Sequence, residues 1–137
     1  DIILPNITEA AMFANMEYRQ TLDESYVTDL LDRLAHPCVV LTGVGYRENE
    51  TGIVLRESGE YTHITHKRIH QNFHGTGDMF AAAFVGALMQ GKDVKRAVQI
   101  AGDFVLRAIE ITVQSPAHWY GVRFESALGY LQRLLED

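Results

Sequence analysis

Two short apolar runs enclose a helix-forming segment, and this arrangement constrains the fold more than any other feature. Residues 2–4 form the first run, which ends at Pro5, and residues 38–41 form the second, between Pro37 and Gly43. Continuous β-branched and apolar runs of this length are typical of strands covered on both faces. Because a strand, a helix and a second strand at this spacing imply a right-handed crossover, the pattern predicts an α/β fold with a mostly parallel sheet.

Helical periodicity predicts two helices in the first half of the chain. Thr8 is the expected N-cap of the first helix, with Glu9 in its first turn. The second helix covers residues 23–35, where apolar residues recur every three or four positions. Residues 52–56 and 61–65, which a Ser-Gly turn separates, are typical of a β-hairpin at the edge of a sheet.

Three more helices are predicted in the second half. A helix over residues 79–90 is rich in small side chains and ends at Gly91. The next helix covers residues 93–113 and begins with Asp93 as its N-cap. A terminal helix is expected from about residue 123, because leucines recur there at helical spacing.

Composition and charge limit the classes of partner. With 137 residues, of which 47% are hydrophobic, the chain is expected to fold as one domain around a single core. Twelve basic and eighteen acidic residues give a net charge of −6, which disfavours nucleic acid and anionic membranes as partners. The sequence contains no apolar run of about 20 residues and no basic-then-apolar leader, and a cytoplasmic location is expected. The one cysteine, Cys38, is expected to be a buried thiol.

The segment with the most specific chemistry is Gly75-Thr76-Gly77-Asp78, at the start of the small-residue helix. Glycine permits positive φ and close backbone approach, and the free amides at a helix N-terminus favour an anion such as phosphate. The segment lacks the third glycine of a dinucleotide-binding loop and the lysine of a Walker loop. The segment therefore predicts an anion site formed by backbone amides, at which Asp78 handles a proton. The alternative is an ordinary turn in which Asp78 is only an acidic residue stabilised by the helix dipole.

Three segments together resemble the ribokinase-like small-molecule kinases, and among them the pyridoxal, pyridoxine and pyridoxamine kinases. Residues 75–78 are similar to the Gly-Thr-Gly-Asp signature of that family, and residues 5–10 are similar to its Pro-Asn-x-x-Glu-Ala segment. Residues 39–43 resemble the strand and turn that lead to its nucleotide site. The order and separation of the three segments agree with the family. The resemblance therefore implies a three-layer α/β ribokinase-like fold, with flanking helices and a β-hairpin.

The resemblance implies an enzyme that transfers the γ-phosphoryl group of ATP to the hydroxymethyl oxygen of a B6 vitamer, which is a small-molecule substrate. By this analogy Asp78 is the general base that takes the hydroxyl proton. The backbone amides of Gly75, Thr76 and Gly77 form the anion hole for the transferring group, and the Thr76 hydroxyl is an additional donor.

The same analogy assigns residues of the first half to the nucleotide and its metal ion. Asn6 and Glu9 are expected to organise Mg²⁺ through water molecules, because this ion keeps much of its hydration shell. Thr42 and Gly43 are expected to lie against the nucleotide, and Phe73 is expected to form a wall for its base.

Residues 1–137 match only the C-terminal portion of such a kinase, which supplies the ATP side and the general base. The N-terminal half, with most of the acceptor pocket, is expected to be absent from this chain. The intact parent is expected to be a homodimer.

Three other functions fit the sequence. A hydroxymethylpyrimidine kinase is one, because its acceptor is also a hydroxymethyl group on a ring. A noncatalytic nucleotide-binding fragment is the second. The third is a zinc-binding module, because His63, His66, His70 and His74 are spaced for one face of a helix. However, residues 61–65 favour a β-strand, which would place His63 and His66 on opposite faces.

Overall fold

The computed structural model describes residues 1–67, 75–114 and 124–136. The chain forms two compact units, Asp1–Arg68 (unit 1) and Ile69–Asp137 (unit 2). Unit 1 combines helices with a β-sheet, whereas the described residues of unit 2 are helical. The single core expected from the chain length stays a prediction.

Unit 1 contains a three-stranded sheet in the order β1-β2-β3. The strands are β1 (Cys38–Thr42), β2 (Glu50–Glu57) and β3 (Glu60–Lys67), and both pairs are antiparallel. The hairpin predicted from the sequence is confirmed by β2 and β3. Ser58 and Gly59 at its turn have φ of 53° and 81°. A two-residue turn with positive φ at both central residues has a backbone twist that matches the twist of the flanking strands.

Parallel pairing is present beside β1, at two isolated bridges. Ile3 bridges Val39 and Asn6 bridges Thr42, so the N-terminal segment runs parallel to β1 as predicted, although it forms no continuous strand. The pairing of β1 with β2 is antiparallel, where a mostly parallel sheet was predicted. The reason is the length of the connection, because residues 43–49 are too few for a parallel crossover, which needs about a dozen residues or more.

The two helices of unit 1 are α1 (Ile7–Phe13) and α2 (Glu24–Leu34). The bounds of α2 agree with the prediction to within one residue. The Asp23 side chain caps it by accepting a hydrogen bond of 2.7 Å from the Tyr26 amide. Ala35 ends it in the left-handed conformation, with φ of 50°.

The core of unit 1 lies between α2 and one face of the sheet. Its members are buried apolar residues of both layers, chiefly Val27, Leu30, Leu31, Val39, Leu41 and Val54. Arg56 of β2 secures the same interface, because its Nη1 donates a hydrogen bond of 2.6 Å to the Leu31 carbonyl near the end of α2. The free thiol of Cys38 is buried, as predicted, and burial raises its pKa.

Unit 2 is built from α3 (Thr76–Met89), α4 (Val94–Val113), a 3-10 turn (Phe124–Ala127) and α5 (Leu128–Glu136). Helix α3 begins three residues earlier than predicted. Gly91, with φ of 86°, follows its C-terminus, and the Asp93 side chain caps α4 as predicted. No helix in the described parts of the chain combines the length and apolar character needed to cross a membrane.

Gly45, in the loop between β1 and β2, has no room for a side chain. A Cβ atom there would lie 2.0 Å from the Glu50 carbonyl oxygen. We therefore expect Gly45→Ala to lower the free energy of unfolding by about 1–3 kcal/mol, the usual cost of overpacking. Gly86→Ala is the control, because no described atom lies within 4 Å of its Cβ position and alanine is favoured in a helix. Urea unfolding measures the free energy of unfolding of both variants. An equal change in this free energy for the two variants would contradict the expectation.

Candidate active site

The carboxyl end of β1 brings three of the predicted site residues together. Thr42, the last residue of β1, forms the parallel bridge with Asn6, and its amide donates a hydrogen bond of 3.0 Å to the Pro5 carbonyl. Gly43 follows with φ of 77°, a conformation that favours glycine. A Cβ atom at Gly43 would lie 3.7 Å from Ile7 Cγ2. Asn6, Thr42 and Gly43 therefore lie where the N-terminus of α1 meets the end of β1.

Asn6 and Glu9 form a reciprocal capping box at the start of α1. The Glu9 amide donates a hydrogen bond of 2.8 Å to Asn6 Oδ1, and the Asn6 amide donates one of 3.0 Å to Glu9 Oε1. The prediction that Thr8 caps this helix is wrong, because Asn6 is the N-cap and Thr8 lies within the helix. The signal that could have shown this is the Asn-x-x-Glu spacing of a capping box.

The capping box leaves oxygen atoms that suit a magnesium ion. Both residues are exposed, and within the described residues Glu9 Oε2 has no hydrogen-bond partner. Carboxylate and amide oxygens are hard ligands of the kind that Mg²⁺ binds, often through water. Among the described residues no group of three or more His, Cys, Asp or Glu side chains could hold a metal ion. Glu9 Oε2 can accept a hydrogen bond from a water ligand of Mg²⁺, and a Mg²⁺ site at Asn6 and Glu9 stays a prediction.

The start of α3 has the geometry expected of a backbone anion site. Gly75 is its N-cap in the left-handed conformation, with φ of 88°, and no side chain caps the helix. The first intrahelical hydrogen bond runs from the Met79 amide to the Gly75 carbonyl, over 3.0 Å. The amides of Thr76, Gly77 and Asp78 precede it and have no acceptor within the helix. They can therefore donate to an anion.

Asp78 lies in this same first turn of α3 and is exposed. The neighbouring Phe80 is buried and stacks on Phe84, with ring centroids 6.3 Å apart, so the first turn of the helix is anchored by its apolar face. No described atom lies within 4 Å of a Cβ position at Gly77. An anion and an incoming hydroxyl group can both approach this turn from the solvent side.

The remaining predicted residues are not part of these two clusters. Phe73, His70 and His74 lie outside the described residues. His63 and His66 are in β3, and their spacing puts them on opposite faces of the sheet, as the β-strand interpretation predicts. His63 packs edge-on against Tyr46, with ring centroids 4.9 Å apart. The pKa of Tyr46 is raised by burial and by the nearby carboxylates of Glu24 and Asp23.

A separate polar groove of about 610 Å³ lies in unit 1, between α2 and the segment that precedes it. Its lining includes Glu17, Arg19, Asp23, Tyr26 and Asp29. None of the predicted site residues lines it. Arg33 and Asp29, which both line the groove, form an ion pair in which Arg33 Nε lies 3.4 Å from Asp29 Oδ2.

Comparison with known proteins identifies similar sequences. A model of the family described as phosphomethylpyrimidine kinase matches residues 1–122. The chain is 29% identical over 112 residues to the pyridoxine kinase of Bacillus subtilis (strain 168). It is 29% identical over 114 residues to the hydroxymethylpyrimidine/phosphomethylpyrimidine kinase of the same organism. These alignments cover 80% and 81% of this chain but only 41% and 42% of the relatives.

Solved structures of similar fold confirm the fold class. The pyridoxal kinase of Lactobacillus plantarum superposes with a TM-score of 0.79 at 28% identity, over 99% of this chain and 49% of that chain. The ADP complex of Bacillus subtilis pyridoxal kinase superposes with a TM-score of 0.68 at 27% identity, over 79% of this chain and 42% of that chain. The architecture is the ribokinase-like α/β fold expected from the sequence.

The capping box predicts how substitutions at Asn6 change stability. We expect Asn6→Ala to lower the free energy of unfolding by about 1 kcal/mol, because the Glu9 amide loses its acceptor. Asn6→Asp keeps a side-chain oxygen in that position and is expected to leave the stability nearly unchanged. Urea unfolding monitored by circular dichroism measures both variants. Equal stability of Asn6→Ala and the unsubstituted chain would contradict a capping role.

Proposed function

The chain belongs to the phosphomethylpyrimidine kinase family, and from this premise we propose that it contains the nucleotide-binding and general-base portion of a B6-vitamer kinase. The reaction is transfer of the γ-phosphoryl group of ATP to the hydroxymethyl oxygen of pyridoxal, pyridoxine or pyridoxamine. A cytoplasmic location and a homodimeric state of the intact kinase stay predictions.

The observation that supports this proposal most strongly is the first turn of α3. Gly75 opens it in the left-handed conformation, no side chain caps the helix, and Asp78 lies in its first turn. Phosphoryl transfer depends chiefly on positioning and on stabilising the charge of the equatorial oxygens. In the proposed reaction the amides of Gly75, Thr76 and Gly77 donate hydrogen bonds to the transferring group. Asp78 accepts the proton of the attacking hydroxyl group.

The residues at the carboxyl end of β1 are proposed to hold the nucleotide. Thr42 and Gly43 would lie against it, and Asn6 and Glu9 would hold Mg²⁺ through water. The bound ion would neutralise part of the phosphate charge. The ADP complex of the similar Bacillus subtilis enzyme supports nucleotide binding by this fold. Phe73, proposed as a wall for the base, lies outside the described residues.

Two alternatives have specific support. The family description and the hydroxymethylpyrimidine kinase relative favour a pyrimidine with a hydroxymethyl group as the acceptor. The chain spans about two fifths of the length of the curated relatives it matches. The second alternative is a fragment that binds nucleotide without turnover. Separate measurements of ATP binding and of phosphorylation distinguish these possibilities. Faster phosphorylation of the pyrimidine than of the vitamers would favour the first alternative, and ATP binding without phosphorylation would favour the second.

Asp78→Asn tests the role of the general base. In the intact parent kinase we expect Asp78→Asn to lower kcat at least about 100-fold, because the amide cannot accept the hydroxyl proton. ATP affinity, measured by calorimetry, is expected to stay within about threefold, since the backbone amides are unchanged. Asp103→Asn, on α4, is the control and is expected to have no effect. An unchanged kcat in Asp78→Asn would exclude Asp78 as the base.

Glu9→Gln separates the structural role of Glu9 from metal binding. Glutamine also completes a capping box, so the stability is expected to change by less than about 0.5 kcal/mol. The variant loses the negative charge that favours a cation. We therefore expect the gain in ATP affinity on adding Mg²⁺ to be roughly tenfold smaller in this variant than in the unsubstituted chain. Titrations of ATP with and without Mg²⁺ measure this difference. The same Mg²⁺ dependence in both proteins would show that Glu9 does not contribute to the metal site.

A further inference from the structure

Ile7, the first residue of α1, lies against two parts of unit 1 at once. Its side chain is partly buried and packs against the core of unit 1. Its Cγ2 atom also lies 3.7 Å from the position that a Cβ atom would take at Gly43. Apart from the chain neighbours of Gly43, no other described atom lies within 4 Å of that position. Ile7 therefore connects the core to the turn that follows β1.

Gly43 depends on its neighbours for its position, because it has no side chain of its own to pack. It is exposed and has φ of 77°. On one side the strand pairing of Thr42 holds the backbone. On the other side Val44 is fully buried, and its amide donates a hydrogen bond of 3.0 Å to the Gly52 carbonyl. Ile7 is the side chain that covers the turn between these two attachments.

Ile7 is also the large side chain through which α1 packs on the core. The helix has seven residues, and so short a helix depends on tertiary packing for its stability. Ala10 and Ala11 are buried, but their side chains are small. Met12 and Phe13 are 76% and 78% exposed. The orientation of α1 therefore depends strongly on the packing of Ile7.

We propose that Ile7 is a positioning residue for nucleotide binding, an inference that rests on the proposed function. Its side chain sets the separation between α1, which begins after Asn6, and the turn at Gly43. Asn6 is proposed to organise Mg²⁺ and Gly43 to lie against the nucleotide, whereas Ile7 acts only through them. Small shifts of such groups matter, because a misplacement of about 1 Å can cost roughly a hundredfold in rate. The shape of residue 7 is therefore expected to control the affinity for ATP.

Ile7→Ala in the 137-residue chain tests this role. Calorimetric titration with ATP and Mg²⁺ is expected to show roughly tenfold weaker binding, because the contact that supports Gly43 is lost. Ile7→Val keeps the Cγ2 atom and loses one methyl group. Its ATP affinity is expected to stay within about threefold of that of the unsubstituted chain.

Leu34→Ala is the matched control for a general loss of stability. Leu34 is also partly buried and packs against the same core. It is the last residue of α2 and precedes the amino end of β1, the opposite end from Gly43. Both alanine variants are expected to unfold at lower urea concentrations than the unsubstituted chain. Only Ile7→Ala is expected to bind ATP more weakly, when both are titrated under conditions in which circular dichroism shows them folded.

An equal loss of ATP affinity in Ile7→Ala and Leu34→Ala would overturn the positioning role, and so would an unchanged affinity in Ile7→Ala. In both cases the proposed function would stand. If the unsubstituted chain does not bind ATP, the proposed function fails and this inference with it. If Ile7→Ala does not fold, Ile7→Leu decides, because it keeps the volume but lacks the methyl group on Cβ. Several-fold weaker ATP binding by Ile7→Leu would support the role, and unchanged binding would overturn it.

Discussion

The parallel bridge between Asn6 and Thr42 is the contact on which the cluster of candidate residues at the carboxyl end of β1 depends. It holds the chain at the point where a strand-like segment becomes α1, so that a helix N-terminus and a strand C-terminus meet. Asn6 takes part in both elements, because its backbone forms the bridge and its side chain caps the helix. Thr42 and Gly43 then follow directly into a loop with a packed backbone. The geometry of this cluster is therefore set by backbone pairing and by the capping box.

The candidate anion site at the start of α3 uses backbone atoms in a different way. At the start of α3, Gly75 adopts a left-handed conformation and offers no side chain as a cap. The first amides of the helix stay available, which is costly unless water or an anion accepts their hydrogen bonds. In a chain with a net charge of −6, such local donors can attract phosphate where the overall field cannot. The proposed mechanism therefore relies on positioned dipoles, with Asp78 as the group that accepts a proton.

Local signals predicted the parts of the fold that depend on local interactions. Asp23 and Asp93 were identifiable as N-caps because a cap depends on a side chain and an amide three residues away. Thr8 was the wrong choice, because the Asn-x-x-Glu spacing from Asn6 to Glu9 is a local capping-box signal that favours Asn6 as the N-cap. Strand direction is not a local property, so the antiparallel pairing of β1 and β2 followed only from the length of their connection.

We propose that nucleotide binds at the carboxyl end of β1, and the roles assigned to Asn6, Thr42 and Gly43 depend on this binding. Amide chemical-shift mapping of the 137-residue chain during titration with ADP and Mg²⁺ tests it most directly. The largest changes are expected at Asn6, Thr42 and Gly43, and they are expected to follow one saturation curve. Changes confined to other surfaces, such as the polar groove beside α2, would contradict it.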